Sequence, residues 1–379
     1  MIADEPVRDD LERAVPDLLR VLSHCVNGTR LGPDPCAGLQ ERFRALIGCR
    51  HAIPVASGTA ALQVALHAVG VGRGDEVVIP VSTCAAVAMA TLQLGAVPIL
   101  AEIDPSLTLD PARLAERLTP RTRAIVAVHQ YGLCADIAAL RRALPPGAAL
   151  IEDCAQALGA SLDGHPVGRL GDVAVFSFCH GKIVSGGQGG MICCDDAATA
   201  AAARRYILLG ADEPPMAREL GHNFVMPPLS ALTVELQMSV LDRITTARSE
   251  RAAWYRERLS GHGFTPIASL ADMAVSTYHR QVCMAPLEGA RYDRWMACLR
   301  AAGARLQGAH PAPLYRAPWL RQPYRDAGWS LLLDDPAAAF PLSVEVDPRL
   351  VYLYVGADMT RQRIDDVCDL MLQHLAATG

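Results

Sequence analysis

The sequence predicts an α/β fold, a mostly parallel sheet covered by helices on both faces and followed by a smaller α+β unit. Two observations predict the sheet. Short, almost wholly apolar runs recur between residues 51 and 194, and segments of helical period separate them. Strands buried on both faces read as continuous apolar runs, and parallel neighbours need crossover helices. A third observation predicts the smaller unit: after about residue 255 the texture changes to short strand-like pieces, prolines and two helices. At 379 residues the chain has room for both. The expected division is 1–254 for an N-terminal segment plus the large domain, and 255–379 for the small one.

Taken in order, Asp9 to Val26 carries Leu11, Val15, Leu18, Leu19 and Leu22 near helical period, which predicts an N-terminal helix. The run from Asn27 to Pro33 breaks it, and a second helix is expected from Cys36 to Ile47. His51–Ala56 reads as a strand entering Ser57-Gly58-Thr59 and a helix to Leu66. Strand, Ser-Gly-Thr, helix offers free N–H groups and a hydroxyl to a phosphate, or simply an N-cap serine. Strands are expected at Glu76–Pro80, Val97–Ala101, Ala124–His129 and Ala149–Asp153. The helices between them fall at Ala85–Leu94, Pro111–Leu118 and Asp136–Leu144. Val173–Ser177 and Gly190–Cys194 flank a glycine-rich loop as a hairpin-like pair. Helices follow at Ala197–Leu208 and, as one long element, Ser230–Glu257. In the C-terminal part, strands are expected at Tyr278–Met284 and Phe340–Val344, and a last amphipathic helix at Thr360–Leu375.

Composition narrows the function. Hydrophobic residues are 51% and charged residues 20%, as in a globular enzyme with a large core. The net charge of −5 and the absence of a basic run argue against a nucleic-acid partner. The acidic start Met1-Ile2-Ala3-Asp4-Glu5 is unlike a secretory signal, and no run of about 18 apolar residues predicts a membrane span. Twelve cysteines are scattered without a C-x-x-C pair, which fits reduced cytoplasmic thiols and no metal site.

The cationic side chains carry a sharper signal. Of 35 lysines and arginines only Lys182 is lysine, and it lies in Phe176-Ser177-Phe178-Cys179-His180-Gly181-Lys182 ahead of Gly186-Gly187-Gln188-Gly189-Gly190. A guanidinium stays protonated and cannot attack a carbonyl, whereas an amine can. Lys182 is therefore a candidate Schiff-base nucleophile. Ser57, Thr83, His129, Asp153 and Gln156 fall at or just after the expected strand ends, where ligands of such sheets bind. Pyridoxal phosphate needs a lysine amine, a carboxylate at its pyridine nitrogen, an anion cup and packing on both ring faces. Asp153, closing a buried strand, is the candidate carboxylate, with a helix-capping role as the alternative. Ser57, Gly58, Thr59 and Ser177 form the candidate cup.

These motifs are ordered as in a known family. Ser57-Gly58-Thr59-Ala60-Ala61-Leu62, Glu152-Asp153-Cys154-Ala155-Gln156-Ala157, Gly171-Asp172, Phe176 through Lys182, Gly186–Gly190 and Gly221-His222-Asn223 resemble the DegT/DnrJ/StrS family of pyridoxal-phosphate-dependent sugar aminotransferases. The resemblance covers the chain from about Gly32 to its end. It implies fold type I with a mostly parallel seven-stranded sheet, a homodimer with shared active sites, and transfer of an amino group from L-glutamate or L-glutamine to a keto sugar or keto cyclitol. By matching position, Lys182 would carry the cofactor and shuttle protons, Asp153 would pair with the pyridine nitrogen, and Gln156 would approach the ring hydroxyl. Ala155 would pack on a ring face, Gly58, Thr59 and Ser177 would hold the phosphate, and Asn223 would reach the neighbouring subunit's phosphate.

Three positions depart from the pattern: Cys84 where an aromatic usually stacks on the ring, Gln188 for a common glutamate, and Val225 for a common arginine. His129 and His180 are open between base and pocket lining, and His310, Tyr315 and Arg316 are candidate acceptor contacts. Because the lysine is retained, transamination is expected over dehydration. A lyase on the same fold and a non-catalytic regulator are the alternatives.

Overall fold

The computed structural model describes residues 15–16, 19–23, 34, 36–211, 216–270, 273–304, 306–308, 313–329 and 331–377. Most of the N-terminal helix expected from Asp9 to Val26 lies outside them, as does His310.

One seven-stranded sheet organises the large domain, in the order β1-β9-β8-β5-β4-β2-β3. Its strands are β1 His51–Val55, β2 Glu76–Pro80, β3 Val97–Ala101, β4 Thr122–Val128, β5 Ala149–Asp153, β8 Val173–Ser177 and β9 Gly190–Cys194. Two short strands, β6 Ser161–Leu162 and β7 His165–Pro166, form a separate hairpin between β5 and β8. β9 alone runs against its neighbours, pairing antiparallel with both β1 and β8, and every other pair is parallel. Apolar composition explains the placement: β2 is buried at all five positions and β9 likewise, which only a doubly covered sheet allows.

The helices match their expected spans closely where a cap defines them. Ser57 Oγ accepts from the Ala60 N–H at 3.1 Å and opens Gly58–Ala68. Asp136 and Asp196 cap Ile137–Ala143 and Ala197–Ile207 in the same way. Ala37–Ile47 and Ala85–Gln93 match as closely without a side-chain cap, but other elements differ from expectation. Pro111–Leu118 holds only a 3-10 turn, Leu114–Arg117. The expected long helix from Ser230 is two helices, Pro228–Met238 and Leu241–Leu259, broken where Ser239 turns its hydroxyl back onto the Leu236 carbonyl at 2.7 Å and Val240 leaves helical geometry. The second of these runs through residue 255, and its C-terminal half (Ala252, Tyr255, Leu259) packs in a core cluster of the C-terminal part.

In that part, strands β10 Thr265–Pro266, β12 Gln281–Met284, β13 Leu306–Gly308 and β14 Leu350–Leu353 form a four-stranded antiparallel sheet, while β11 Ala274–Val275 joins β6. Gly289–Ala301 and the terminal Arg361–Ala377 cover it, burying Trp295, Ile364, Cys368 and Met371. The expected strand Phe340–Val344 is instead a helix, Pro341–Val346. Its proline occupies the first helical position, where a missing N–H costs nothing, and Ser343 and Val346 face the core. The expected strand at Tyr278 begins only at Gln281, because Tyr278 adopts φ 50.

Candidate functional site

Since β1, β2, β4, β5 and β8 run in one direction, their C-terminal ends open on one edge of the sheet. That edge collects Ser57, the turn Val81–Cys84, the turn His129–Gly132, the segment Cys154–Gln156 and the loop leading to Lys182. The candidate residues converge for a topological reason, each following a strand of the same polarity.

Asp153 closes β5 and is 4% exposed. Burial pushes its carboxyl above the ordinary carboxylate range, although the Ala155 N–H (2.9 Å from Oδ1) and Lys182 favour the charged form. The carboxylate thus has less positive charge around it than its burial calls for. Lys182 is half-buried on the loop between β8 and β9, its N–H donating to the Cys179 carbonyl at 3.1 Å. Burial lowers its amine affinity for a proton. Asp153, Cys84 and Cys179 oppose that shift and Arg280 adds to it, so all four lie within electrostatic reach of the amine. A lysine eased toward its free base beside a carboxylate short of a cation is equipped for carbonyl addition and proton transfer.

The candidate anion cup is tight. A Cβ added at Gly58 would lie 2.6 Å from Ser177 Cβ and 2.8 Å from its hydroxyl, so only glycine lets the helix start approach the end of β8. Gly190, in the strand between, would meet the Ser57 carbonyl oxygen at 2.6 Å. The first amides of Gly58–Ala68 have no acceptor within the helix and face this edge. Beside the cup, Ser57, Thr59, Gln63, Gln93, His222 and Phe224 line a cleft of about 440 Å³. Ala155 and Gln156 are half-buried at the end of β5, and Gln156 Oε1 accepts from the Tyr131 N–H at 2.9 Å.

The turn after β2 presents Cys84, exposed, and Thr83, fully buried, whose hydroxyl has no partner. Its other side is anchored. Gln130 Nε2 donates to the Ser82 carbonyl at 3.0 Å, and Ser82 Oγ donates to both Asp347 oxygens at 2.8 and 3.0 Å. Ser343 Oγ donates to Asp347 Oδ2 at 2.8 Å. Sequence reading missed this tie, because Ser82 and Asp347 are 265 residues apart and lack a shared motif.

The other candidates are sorted by burial. His129 is 0% exposed and committed elsewhere: its Nδ1 accepts the Ala135 N–H at 3.1 Å, so the ring proton is on Nε2, 3.0 Å from Glu152 Oε2. Glu152 also takes the N–H groups of Gly168, Leu170 and Gly171, so the carboxylate has four donors and both His129 ring nitrogens are engaged in clasping these segments. Alternation along β5, which puts Glu152 on the face opposite Asp153, is the signal that predicts it. His129, Glu152 and Cys154 bring ligand atoms within 4.8 Å of one another, yet the imidazole and carboxylate atoms are already spent on these bonds. His180 is exposed, its backbone N–H bonded to the Gly187 carbonyl at 3.1 Å. Tyr315 is 7% exposed and stacks on Phe340 at 6.0 Å, a core position, while Arg316 is exposed over the Tyr315 ring at 5.6 Å. Asn223 is exposed and forms an isolated antiparallel bridge with Leu208.

Residues 24–372 match the model of the DegT/DnrJ/EryC1/StrS aminotransferase family. An L-glutamine:2-deoxy-scyllo-inosose aminotransferase of Streptomyces kanamyceticus is 33% identical over 89% of this chain and 85% of its own. Among solved structures, DesI in the presence of its TDP-sugar product superposes with a TM-score of 0.82 at 29% identity, covering 95% of this chain and 90% of DesI. 3-Amino-5-hydroxybenzoic acid synthase superposes with a TM-score of 0.82 at 27% identity over 99% of this chain and 97% of its own. The fold is accordingly that of the fold type I aminotransferases.

Proposed function

Because the chain belongs to the DegT/DnrJ/EryC1/StrS aminotransferase family, and is a transaminase of its sugar- and cyclitol-directed kind, we propose that it moves the amino group of L-glutamine or L-glutamate to the ketone of a cyclitol, with pyridoxal phosphate as cofactor. The observation that carries the cofactor is the pairing of the single lysine with a carboxylate whose burial outweighs the charge and hydrogen bond that favour its ionised form. A protonated pyridine nitrogen would supply further positive charge. The remaining residues fit as well: Gly58 keeps open a cradle that a Cβ would fill, and the orphaned Thr83 hydroxyl lies on the turn beside Lys182.

When bound, the cofactor is an electron sink that acidifies the donor α-carbon. The protein does the rest. The Gly58 and Thr59 amides and the Ser177 hydroxyl would hold the phosphate, and Asp153 would stay ionised against the ring nitrogen. Ala155 and Cys84 would flank the ring, and Gln156 would approach its hydroxyl. Lys182 Nζ would take the proton from the donor α-carbon and hold it for return. The same amine reverses these steps with the acceptor ketone.

Asn223 of each copy serves the phosphate of the other, so the working unit is a homodimer. Exposed Leu208, Leu209, Leu220 and Val225 around Asn223 support a covered face there. A cytoplasmic setting fits the free thiols of the described cysteines, and no described helix is long and apolar enough to cross a membrane. The cyclitol acceptor rests on the Streptomyces kanamyceticus relative.

The test is to mix the yellow protein with L-glutamine or L-glutamate, follow loss of the 'yellow' absorbance, and then offer a panel of keto cyclitols and nucleotide-linked keto sugars. Conversion by the donor and amination of a cyclitol are expected, and amination of a nucleotide-linked sugar alone would move the acceptor to that class. Lys182→Ala should abolish turnover and the borohydride-fixed adduct, and an active Ala variant would overturn the scheme.

A further inference from the structure

The turn that bears Thr83 and Cys84 is held from behind by a triangle of oxygens. Ser82 Oγ lies 2.9 Å from Ser343 Oγ, and 3.0 and 2.8 Å from Asp347 Oδ1 and Oδ2. Ser343 Oγ lies 2.8 Å from the same Oδ2. All three residues are buried, so the triangle relies on their own protons.

Two proton arrangements are available. An ionised carboxyl is an acceptor only, and each serine has one hydroxyl proton. Two protons fill two sides of the triangle, and the third side leaves two oxygens in contact with no proton between them. A protonated carboxyl adds the third proton. The bond between Oδ1 and Ser82 then reverses: Oδ1 donates to Ser82, Ser82 to Ser343, and Ser343 to Oδ2. Every side becomes a hydrogen bond of ordinary O–H···O length, about 2.5–3.0 Å.

The surroundings favour this closed ring. Burial is the largest influence on Asp347, and Glu102 acts in the same direction, against the two serines and Arg316. Glu102 itself takes the Leu342 N–H at 2.8 Å and lies 3.6 Å from Arg113. Tyr131 and Tyr315 also act on this region, and burial raises both hydroxyls, so neither brings a charge.

We propose that Asp347 is a positioning residue for the cofactor site: as a neutral acid it closes the ring that fixes the Ser82–Cys84 turn, and its ionisation lets that turn shift. The inference rests on the proposed cofactor at Lys182. The Val81 carbonyl is held by the Leu314 N–H at 2.8 Å and the Ser82 carbonyl by Gln130 at 3.0 Å. The ring adds the side-chain hold at the last residue before Thr83 and Cys84.

Cofactor dissociation constants of the parent, Asp347→Asn and Ser343→Ala, measured by equilibrium dialysis from about pH 5 to 8, test this across the value of about 6 to which burial raises Asp347. Asparagine does not ionise, and its amide N–H replaces the acid O–H toward Ser82. A ratio to the parent at the same pH cancels the titration of the cofactor and of Lys182. Asp347→Asn should match the parent within about twofold at the acid end and bind on the order of three- to thirtyfold tighter at the alkaline end, where the parent ring is open. Ser343→Ala lacks the ring throughout, so it should bind on the order of three- to thirtyfold more weakly at the acid end and approach the parent at the alkaline end. A second readout needs no cofactor: the rate at which iodoacetamide alkylates the exposed Cys84, followed by peptide mass. That rate should rise with pH more steeply in the parent than in either variant, the thiol's own titration being common to all three. If no cofactor is retained at Lys182, the site reading fails and the alkylation rates still decide the ring. Affinity ratios constant with pH in both variants, or superimposable alkylation profiles, would overturn the proposal. If the Asn variant does not fold, Ser343→Ala decides by the same criteria.

Discussion

Replacing Asp347 with asparagine should remove a specific pH dependence of stability. Asp347 is 3% exposed and holds Ser82 and Ser343, which ties the Pro341–Val346 helix to the turn bearing Thr83 and Cys84. Burial raises its carboxyl from the ordinary 3.8 to about 6, outweighing the two serine hydrogen bonds and Arg316, while Glu102 pushes the same way as burial. Over that interval the native state holds the proton more tightly than the unfolded chain by about 3 kcal/mol. The direction follows from linkage. Below about pH 4 both states are protonated and the stabilisation is fully present, and it is lost as pH rises through about 6. Asparagine keeps the shape and cannot ionise. Urea unfolding of parent and Asp347→Asn, at equal excess of cofactor and across about pH 4 to 8, measures the difference, in which unaltered groups cancel. The variant should gain on the parent by up to about 3 kcal/mol between the ends of that range. A gap constant to within about 0.5 kcal/mol would refute the reasoning.

Two further outcomes are expected. Gly58→Ala places a Cβ 2.6 Å from Ser177 Cβ, neither of which can swing aside, so the cup must open. Cofactor retention, followed by equilibrium dialysis, should weaken by about 1–3 kcal/mol, and parent-like retention would place the phosphate elsewhere. His129→Leu strands the Ala135 N–H and removes one Glu152 donor, which should cost roughly 2–4 kcal/mol in urea unfolding. Turnover per folded molecule should stay within a few-fold of the parent, and a collapse of turnover with unchanged stability would restore His129 as a base.

The strands of the large sheet were legible because burial on both faces writes itself locally, as in the wholly apolar Val77–Ile79 and Met191–Ile192 cores. The capped turn proposed as the phosphate cup was legible for a related reason: Ser57-Gly58-Thr59 is contiguous, and its cap bond to Ala60 spans three residues. Pro341 misled the reading of Phe340–Val344, since an apolar run of that length suits a strand or a buried helix equally. The burial of Tyr315 against Phe340 was not legible, because loop residues declare their burial only through what packs on them.

Lys182 and Asp153 were singled out by the sequence itself, one as the chain's lone lysine and the other as the acid closing an apolar strand. Their chemistry is of residue type, and residue type needs no fold to be read. What only the tertiary structure decided is the electrostatic and mechanical setting: Asp347 under the Ser82 turn and the commitment of His129 to Glu152. Those facts depend on groups up to hundreds of residues apart being brought within hydrogen-bond distance, and the desolvation that gives them their energies exists only once the chain has closed around them.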